Sequence, residues 1–137
     1  MAVVSKKTEI LAEVQNAFGI VPEWTKVIPE PALQSFWGGM RDFQLAETQI
    51  PNKYKELIGL AVAAATHCRY CQLFHVTSAR LNGATEDEIA EAVMYAASTS
   101  QGSTFLNGMA IDFAQFTKEL EQIKQYEIPL DVYWFDA

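Results

Sequence analysis

Apolar residues recur at helical spacing along nearly the whole of this chain, and no stretch stands out with the period-two alternation of a half-buried strand. Ile10, Leu11, Val14, Ala17 and Phe18 mark one helical face, with Gly19 as its C-cap. Pro22, Pro29 and Pro31 make residues 20–31 a connector, with one helical turn near Trp24. A second helix is expected from Ala32 to Leu45, weakened at Gly38-Gly39, where a kink can form. Pro51 opens a third helix, which carries Tyr54, Leu57, Ile58, Ala61, Val62 and Ala65. Its Ala-rich end lets another helix approach closely. A fourth helix is expected to begin around Cys68 and to stop at Asn82-Gly83. Thr85 and Glu88 then read as a capping box for a helix through Ala96. Ser98 to Ser103 reads as a polar turn. The last long helix is expected from Thr104 to Gln125, with Phe105, Met109, Phe113, Phe116 and Leu120 on one side. The pattern predicts an all-α fold of six to seven helices in one domain covering residues 1–137. The tail, residues 128–137, holds Tyr133, Trp134 and Phe135, which are expected to dock on the core or on a neighbouring subunit.

Composition narrows the function classes. Half of the 137 residues are apolar and 20% are charged, an ordinary globular balance that excludes a disordered tail. Two cysteines are too few for a disulfide-stapled miniprotein. The net charge is −7, and no basic cluster exceeds Lys6-Lys7, so the basic stripe that nucleic acid requires is missing. The longest apolar run, Leu57 to Ala65, is far short of the ~20 residues of a membrane span. The first residues lack the charged-then-apolar order of a signal peptide, which points to the cytosol. In that compartment a close cysteine pair reads as redox or metal chemistry rather than as a staple.

Both cysteines lie in Thr66-His67-Cys68-Arg69-Tyr70-Cys71-Gln72-Leu73-Phe74-His75. On a regular helix, positions 68, 71 and 75 fall within an arc of about 60°. Cys71 and His75 are an i, i+4 pair, neighbours on a helix surface. Such a pair suits thiol chemistry. The thiolate is the nucleophile, and a helix N-terminus and an adjacent imidazole both favour it. His75 can take the thiol proton and return it to a leaving group. A second thiol three residues away can condense with a sulfenic acid to form a disulfide. That disulfide can then be reduced and reused.

These residues resemble a known family. Glu56, eleven residues, Cys68-x-x-Cys71, three residues and His75 match the signature of the AhpD-like (alkyl hydroperoxidase D-like) members of the carboxymuconolactone decarboxylase superfamily. The flanking Lys-Glu-Leu-Ile-Gly-Leu-Ala-Val-Ala-Ala-Ala and Ala-Arg-Leu-Asn-Gly-Ala-Thr-Glu-Asp-Glu-Ile-Ala-Glu-Ala are similar too, as is the upstream Phe-Gly-Ile-Val-Pro-Glu-Trp. The resemblance covers most of residues 18–116 and omits the tail. It implies an all-helical homo-oligomer, often a trimer or hexamer, with thiol peroxidase or disulfide-reductase activity and neither metal nor prosthetic cofactor. It implies Cys71 as the peroxide-attacking thiol, Cys68 as the resolving thiol, and His75 with Glu56 as a proton relay. A break near Thr66-His67 would fold the third helix back and bring Glu56 to the pair. The implied partners are a hydroperoxide substrate and a dithiol or lipoyl-type reductant, or a peroxiredoxin that the chain itself reduces. Alkyl hydroperoxidase D carries a His between its cysteines, where this chain has Arg69 and Tyr70. The name-giving decarboxylases lack the cysteine pair.

Plainer readings stand beside these. Taken alone, Glu56 is a solvated helix carboxylate next to Lys53 and Lys55, and two helix cysteines are inert core. His67 reads as a helix-start loop residue and Tyr70 as an aromatic at the edge of the site; both are kept as candidate site-lining residues. Trp37, Phe36, Phe43 and the Met109 to Phe116 stripe read as core or subunit interface rather than a pocket. The Glu86-Asp87-Glu88 run reads as a solvated helix start. Cys68, Cys71, His75 and Glu56 are together a conceivable zinc set, although structural zinc usually draws ligands from two separate segments. A lyase acting on a small lactone and a non-enzymatic redox-sensing oligomer are the competing function classes.

Overall fold

The computed structural model describes residues 5–126, so the aromatic tail lies outside the described residues. Those residues form seven α-helices and one π-helical segment, and among them there is no strand. The chain divides after Ala96 into two compact units.

The first unit begins with α1 (Lys6–Phe18), which Ser5 caps by accepting from the Thr8 N–H. It ends at Gly19, whose φ of 74° is the left-handed conformation that glycine adopts without strain. The short α2 (Glu23–Lys26) is the helical turn expected near Trp24. Next comes α3 (Glu30–Gly39), after which the winding changes to a π-helical segment over Met40–Leu45. The discontinuity expected at Gly38-Gly39 is therefore a change of helix type at the next residue. Ile10 and Val14 of α1, Leu33 and Trp37 of α3, and Met40 form one buried cluster. The Trp37 indole N–H donates to Glu13 at 2.9 Å, which satisfies the only polar atom that side chain brings into the cluster. Phe36 and Phe43, by contrast, are exposed.

Three further helices complete this unit. They are α4 (Asn52–Ala65), α5 (Arg69–Leu81) and the first half of α6 (Glu86–Gly108). Leu60, Ala79 and Ile89, one from each, make a second buried cluster. The small side chains of Ala63 and Ala79 are almost completely buried, so α4 and α5 run close together, as the Ala-rich end of α4 predicts. The capping box at Thr85 and Glu88 is present. Glu88 accepts from the Thr85 N–H at 2.8 Å, and Thr85 Oγ1 accepts from the Glu88 N–H at 3.1 Å. Glu88 also pairs with Lys53 of α4 at 2.7 Å, so one carboxylate both starts α6 and ties it to α4. The acidic run is thus not simply solvated. Glu86 pairs with Arg80 as well.

The second unit corrects the boundaries expected after Ala96. Ser98 to Ser103 is not a turn, because α6 continues through it to Gly108. Polar side chains just beyond this stretch bond back to its carbonyls. Thr104 donates to the Ser100 carbonyl, and Asn107 to the Ser103 carbonyl, each at 2.8 Å. With no proline present, such residues do not stop a helix. The break falls instead at 109–112, where Ala110 is left-handed with φ 49°. The Ile111 N–H closes the helix end onto the Leu106 carbonyl. Asp112 then caps α7 (Phe113–Gln125) by accepting from the Gln115 N–H at 2.6 Å. The aromatic stripe is consequently shared between two helices, and α7 has no buried residue.

Candidate active site

The α4–α5 hairpin assembles the site. Its turn is Thr66-His67-Cys68, with His67 left-handed at φ 57°. Three donors converge on the Ala63 carbonyl near the end of α4: the Cys68 N–H at 3.0 Å, the Gln72 side-chain amide at 3.2 Å and the Thr66 hydroxyl at 3.5 Å. The Thr66 hydroxyl donates to the Val62 carbonyl at 2.8 Å. The bonds to Ala63 use a carbonyl that the helix end leaves without a helical partner, and so fix the reversal. The fold-back expected at Thr66-His67 is present.

Cys68 is the N-cap of α5 rather than a member of it. Its backbone is extended, and its Sγ accepts from the Cys71 N–H at 3.3 Å. The regular arc drawn through positions 68, 71 and 75 therefore holds only for Cys71 and His75. Cys68 reaches the same end of the helix from outside it. The two cysteines are joined as a disulfide, with Cα atoms 5.3 Å apart. Cys68 is half-buried and Cys71 is exposed.

Glu56 is only 4% exposed, which overturns its plain reading as a solvated carboxylate. Its lysine neighbours point elsewhere: Lys53 to Glu88, and Lys55 to the carbonyls of Phe43 and Ala46. Its partner is His75, whose Nδ1 lies 2.7 Å from Glu56 Oε2. A carboxylate accepts, so Nδ1 carries the hydrogen, and Nε2 is the nitrogen that can take or give a proton. Helical side chains lean toward the N-terminus of their helix, so His75 leans toward the turn that carries Cys71. Two flanking residues fix how α5 is rotated. Phe74 packs on the Val14 and Trp37 cluster, and Val76 on the Leu60 and Ala79 cluster, with His75 between them. The Phe74 ring and the imidazole are also T-shaped to each other, with centroids 5.4 Å apart.

The remaining candidates are not drawn in. His67 is exposed on the turn, and Tyr70 is 79% exposed, with the Arg69 guanidinium 5.5 Å from its ring centroid. Among the described residues, no group of three or more His, Cys, Asp or Glu side chains is arranged to hold a metal. In this state the two sulfurs bond each other and His75 Nδ1 faces Glu56.

Gly59 brings no chemistry of its own, so residue type alone does not single it out. Helix α4 places it one turn beyond Glu56, facing the His75 ring so closely that a Cβ there would lie 2.4 Å from Cε1 and 2.6 Å from each ring nitrogen. The available signal was a glycine inside an otherwise strong helix, where it costs ~1 kcal/mol relative to alanine and so calls for a reason.

Comparison with known proteins bears on the family of the chain. The family model described as the carboxymuconolactone decarboxylase family matches residues 31–112. That stretch contains Glu56, both cysteines and His75. An uncharacterized protein of the cox locus of Paracoccus denitrificans is 38% identical over 60 residues, which is 44% of this chain and 54% of the relative. The chain thus spans about half the length of that relative. An uncharacterized protein of Cupriavidus necator is 30% identical over 83 residues, 61% of this chain and 69% of that protein. No solved structure matches.

Proposed function

The chain belongs to the carboxymuconolactone decarboxylase family, and from that premise we propose that it is an AhpD-like dithiol oxidoreductase that reduces hydroperoxides. The observation that carries the reading is one arrangement. A Cys68–Cys71 disulfide caps α5, and one helical turn further on lies His75, held by the buried Glu56. A decarboxylase-type lyase has no need of the cysteine pair.

The cycle uses these four side chains. Cys71, as thiolate, attacks one peroxide oxygen. The S–O bond forms as the O–O bond breaks, and the leaving alkoxide takes a proton delivered through His75. Cys71 is now a sulfenic acid. The Cys68 sulfur attacks it, the S–S bond forms, the S–O bond breaks, and water leaves. Two electrons have passed from the dithiol to the peroxide. A dithiol donor, on a protein or a lipoyl group, returns them by thiol–disulfide exchange and is itself left as a disulfide. The same exchange run toward a partner makes the chain a reductant for a peroxiredoxin. Glu56 accepts from Nδ1–H, which holds the ring in the tautomer whose Nε2 acts and stabilises the imidazolium that forms. The exposure of Cys71 fits both a small peroxide and a dithiol carried by a larger partner.

The cytosol is the compartment in which such a pair would be kept cycling. Among the described residues, no helix is long and apolar enough to cross a membrane. Self-association fits the large apolar side chains left on the surface, and a trimer or hexamer is the expected form.

The test is a thiol count on reduced, chelator-washed protein before and after one equivalent of cumene hydroperoxide, with Cys71→Ser alongside. Loss of two thiols per chain with one peroxide consumed, and no consumption by the variant, is the expected result. Thiols that survive peroxide untouched would reject the peroxidase reading.

A further inference from the structure

We propose that Gly59 is a positioning residue for the His75–Glu56 pair, holding the imidazole in a notch on α4 that exists only because position 59 has no side chain. The proposal deepens the dithiol oxidoreductase reading and rests on it for its effect on turnover, though not for its geometry.

A Cβ at position 59 would meet three atoms of one ring, Cε1, Nδ1 and Nε2, all at 2.4–2.6 Å. It would therefore stand on the working edge of the imidazole. Two contacts hold the ring where that Cβ would lie, the 2.7 Å bond from Nδ1 to Glu56 and the packing against Phe74. The Phe74 and His75 rings are T-shaped to each other, and the packing of Phe74 and Val76 on the two buried clusters sets the rotation of α5. Among the described residues, Gly59 is the one glycine with another residue within ordinary contact of its missing Cβ. It also lies three residues after Glu56, on the same side of α4. The helix thus supplies the carboxylate that binds Nδ1 and, one turn on, the gap that admits the ring.

Nothing else about the site asks for glycine. Position 59 is in the middle of α4, where alanine forms the better helix, and glycine costs the helix stability. The notch instead serves the 2.7 Å contact between Nδ1 and Oε2, which the ring loses if it is pushed off α4. Glycine here exchanges helix propensity for placement of the proton-transfer group, and placement errors of about 1 Å can cost 10²-fold in rate.

The experiment compares Gly59→Ala, His75→Ala and the double variant, with two readouts. The first is the imidazole ¹⁵N spectrum. The chain has two histidines, so only two ring systems appear. In the native protein one ring is held as the Nδ1–H tautomer. In Gly59→Ala that signature is expected to move toward the mixture typical of a solvated ring. The second readout is turnover of cumene hydroperoxide under a chemical dithiol. Gly59→Ala is expected to lower kcat by about 10²-fold with KM little changed, as His75→Ala does, and to add no further loss in the His75→Ala background. If Gly59→Ala alone fails to fold, the double variant, which removes the clashing ring, is expected to fold. A folded Gly59→Ala with an unchanged imidazole spectrum overturns the proposal. So does a double variant that stays unfolded, or losses that simply multiply. If the native protein turns over no peroxide, the functional reading fails, and the imidazole spectrum still decides the role of Gly59.

Discussion

At the scale of single residues, burial and hydrogen bonding assign separate tasks to groups that look alike in the sequence. Glu56 and Glu88 are both helix carboxylates. One is buried against an imidazole, whereas the other sits at a helix start beside a lysine. Dehydrating a carboxylate is costly unless it is paired, so the Glu56–His75 contact is what makes the buried position tolerable. Glu56→Gln keeps the shape and a hydrogen-bonding oxygen but removes the charge that supports an imidazolium. Turnover is expected to fall at least ~10-fold while the helical circular dichroism is kept, and steady-state kinetics on the folded variant checks this. The cysteines separate in the same way. Cys68 occupies an N-cap, a position at which serine is favoured, so Cys68→Ser is expected to fold well. It should consume one peroxide per chain and stop as a Cys71 sulfenic acid, which a dimedone adduct found by mass spectrometry would register. An absence of both adduct and peroxide consumption would reverse the assignment of attacking and resolving thiols, whereas continued turnover would remove Cys68 as the resolving thiol.

At the scale of elements, the Thr85–Glu88 box and Lys53 hold the start of α6 to α4. The Lys53 ammonium, and then the Thr85 N–H, bind the Glu88 carboxylate and hold its pKa below the ordinary carboxylate value, while Lys53 is raised in turn. A depressed carboxylate contributes stability above its unfolded pKa, and that contribution is lost as pH falls through the folded one. Thermal midpoints of the native protein and Glu88→Gln should therefore differ by a constant amount near neutral pH. The gap should close below about pH 4.5, where Glu88 protonates in the unfolded chain and then in the folded one. A gap that persists at pH 3 would mean the carboxylate acts by shape alone. Much at this scale is legible in the sequence. The caps at Gly19 and Thr85, the turn near Trp24 and the reversal at Thr66-His67 all rest on local chemistry that the residues carry themselves. Ser98 to Ser103 misleads because serine, glycine and glutamine suit a turn as well as a helix whose hydroxyls bond back to carbonyls, and local composition does not separate the two. The change to π winding after Gly39 is visible only as a weakness. At the site, spacing singles out Cys68, Cys71 and His75 as candidates, and the family resemblance adds Glu56. The burial of Glu56 and the notch at Gly59 arise from the contact of α4 with α5, which no single segment encodes.

At the scale of the whole molecule, α4 has two faces with different consequences. Glu56, Leu60 and Ala63 are buried, whereas Tyr54, Ile58 and Val62 are 51%, 53% and 58% exposed. The last three follow i, i+4, i+8 and so form one apolar stripe along the helix. A stripe of this kind on the helix that carries a site residue is a natural seam for a second copy of the chain. The net charge of −7 opposes such contact, and salt screens that opposition while leaving apolar contact intact. Sedimentation is therefore expected to give a multiple of 15.3 kDa that holds or grows as salt is raised. Val62→Glu places a charge in the stripe and touches neither buried cluster, so helix content should stay while the mass falls to that of one chain. A native protein that sediments as a single chain at all concentrations would reject self-association, and a Val62→Glu variant that stays assembled would move the seam elsewhere. Because Val62 also carries the carbonyl that anchors the Thr66 hydroxyl, the variant's disulfide should be counted by thiol titration in the same samples. Two thiols appearing per chain on reduction, in both proteins, would mean that the dithiol turn keeps its form whether or not the seam is closed.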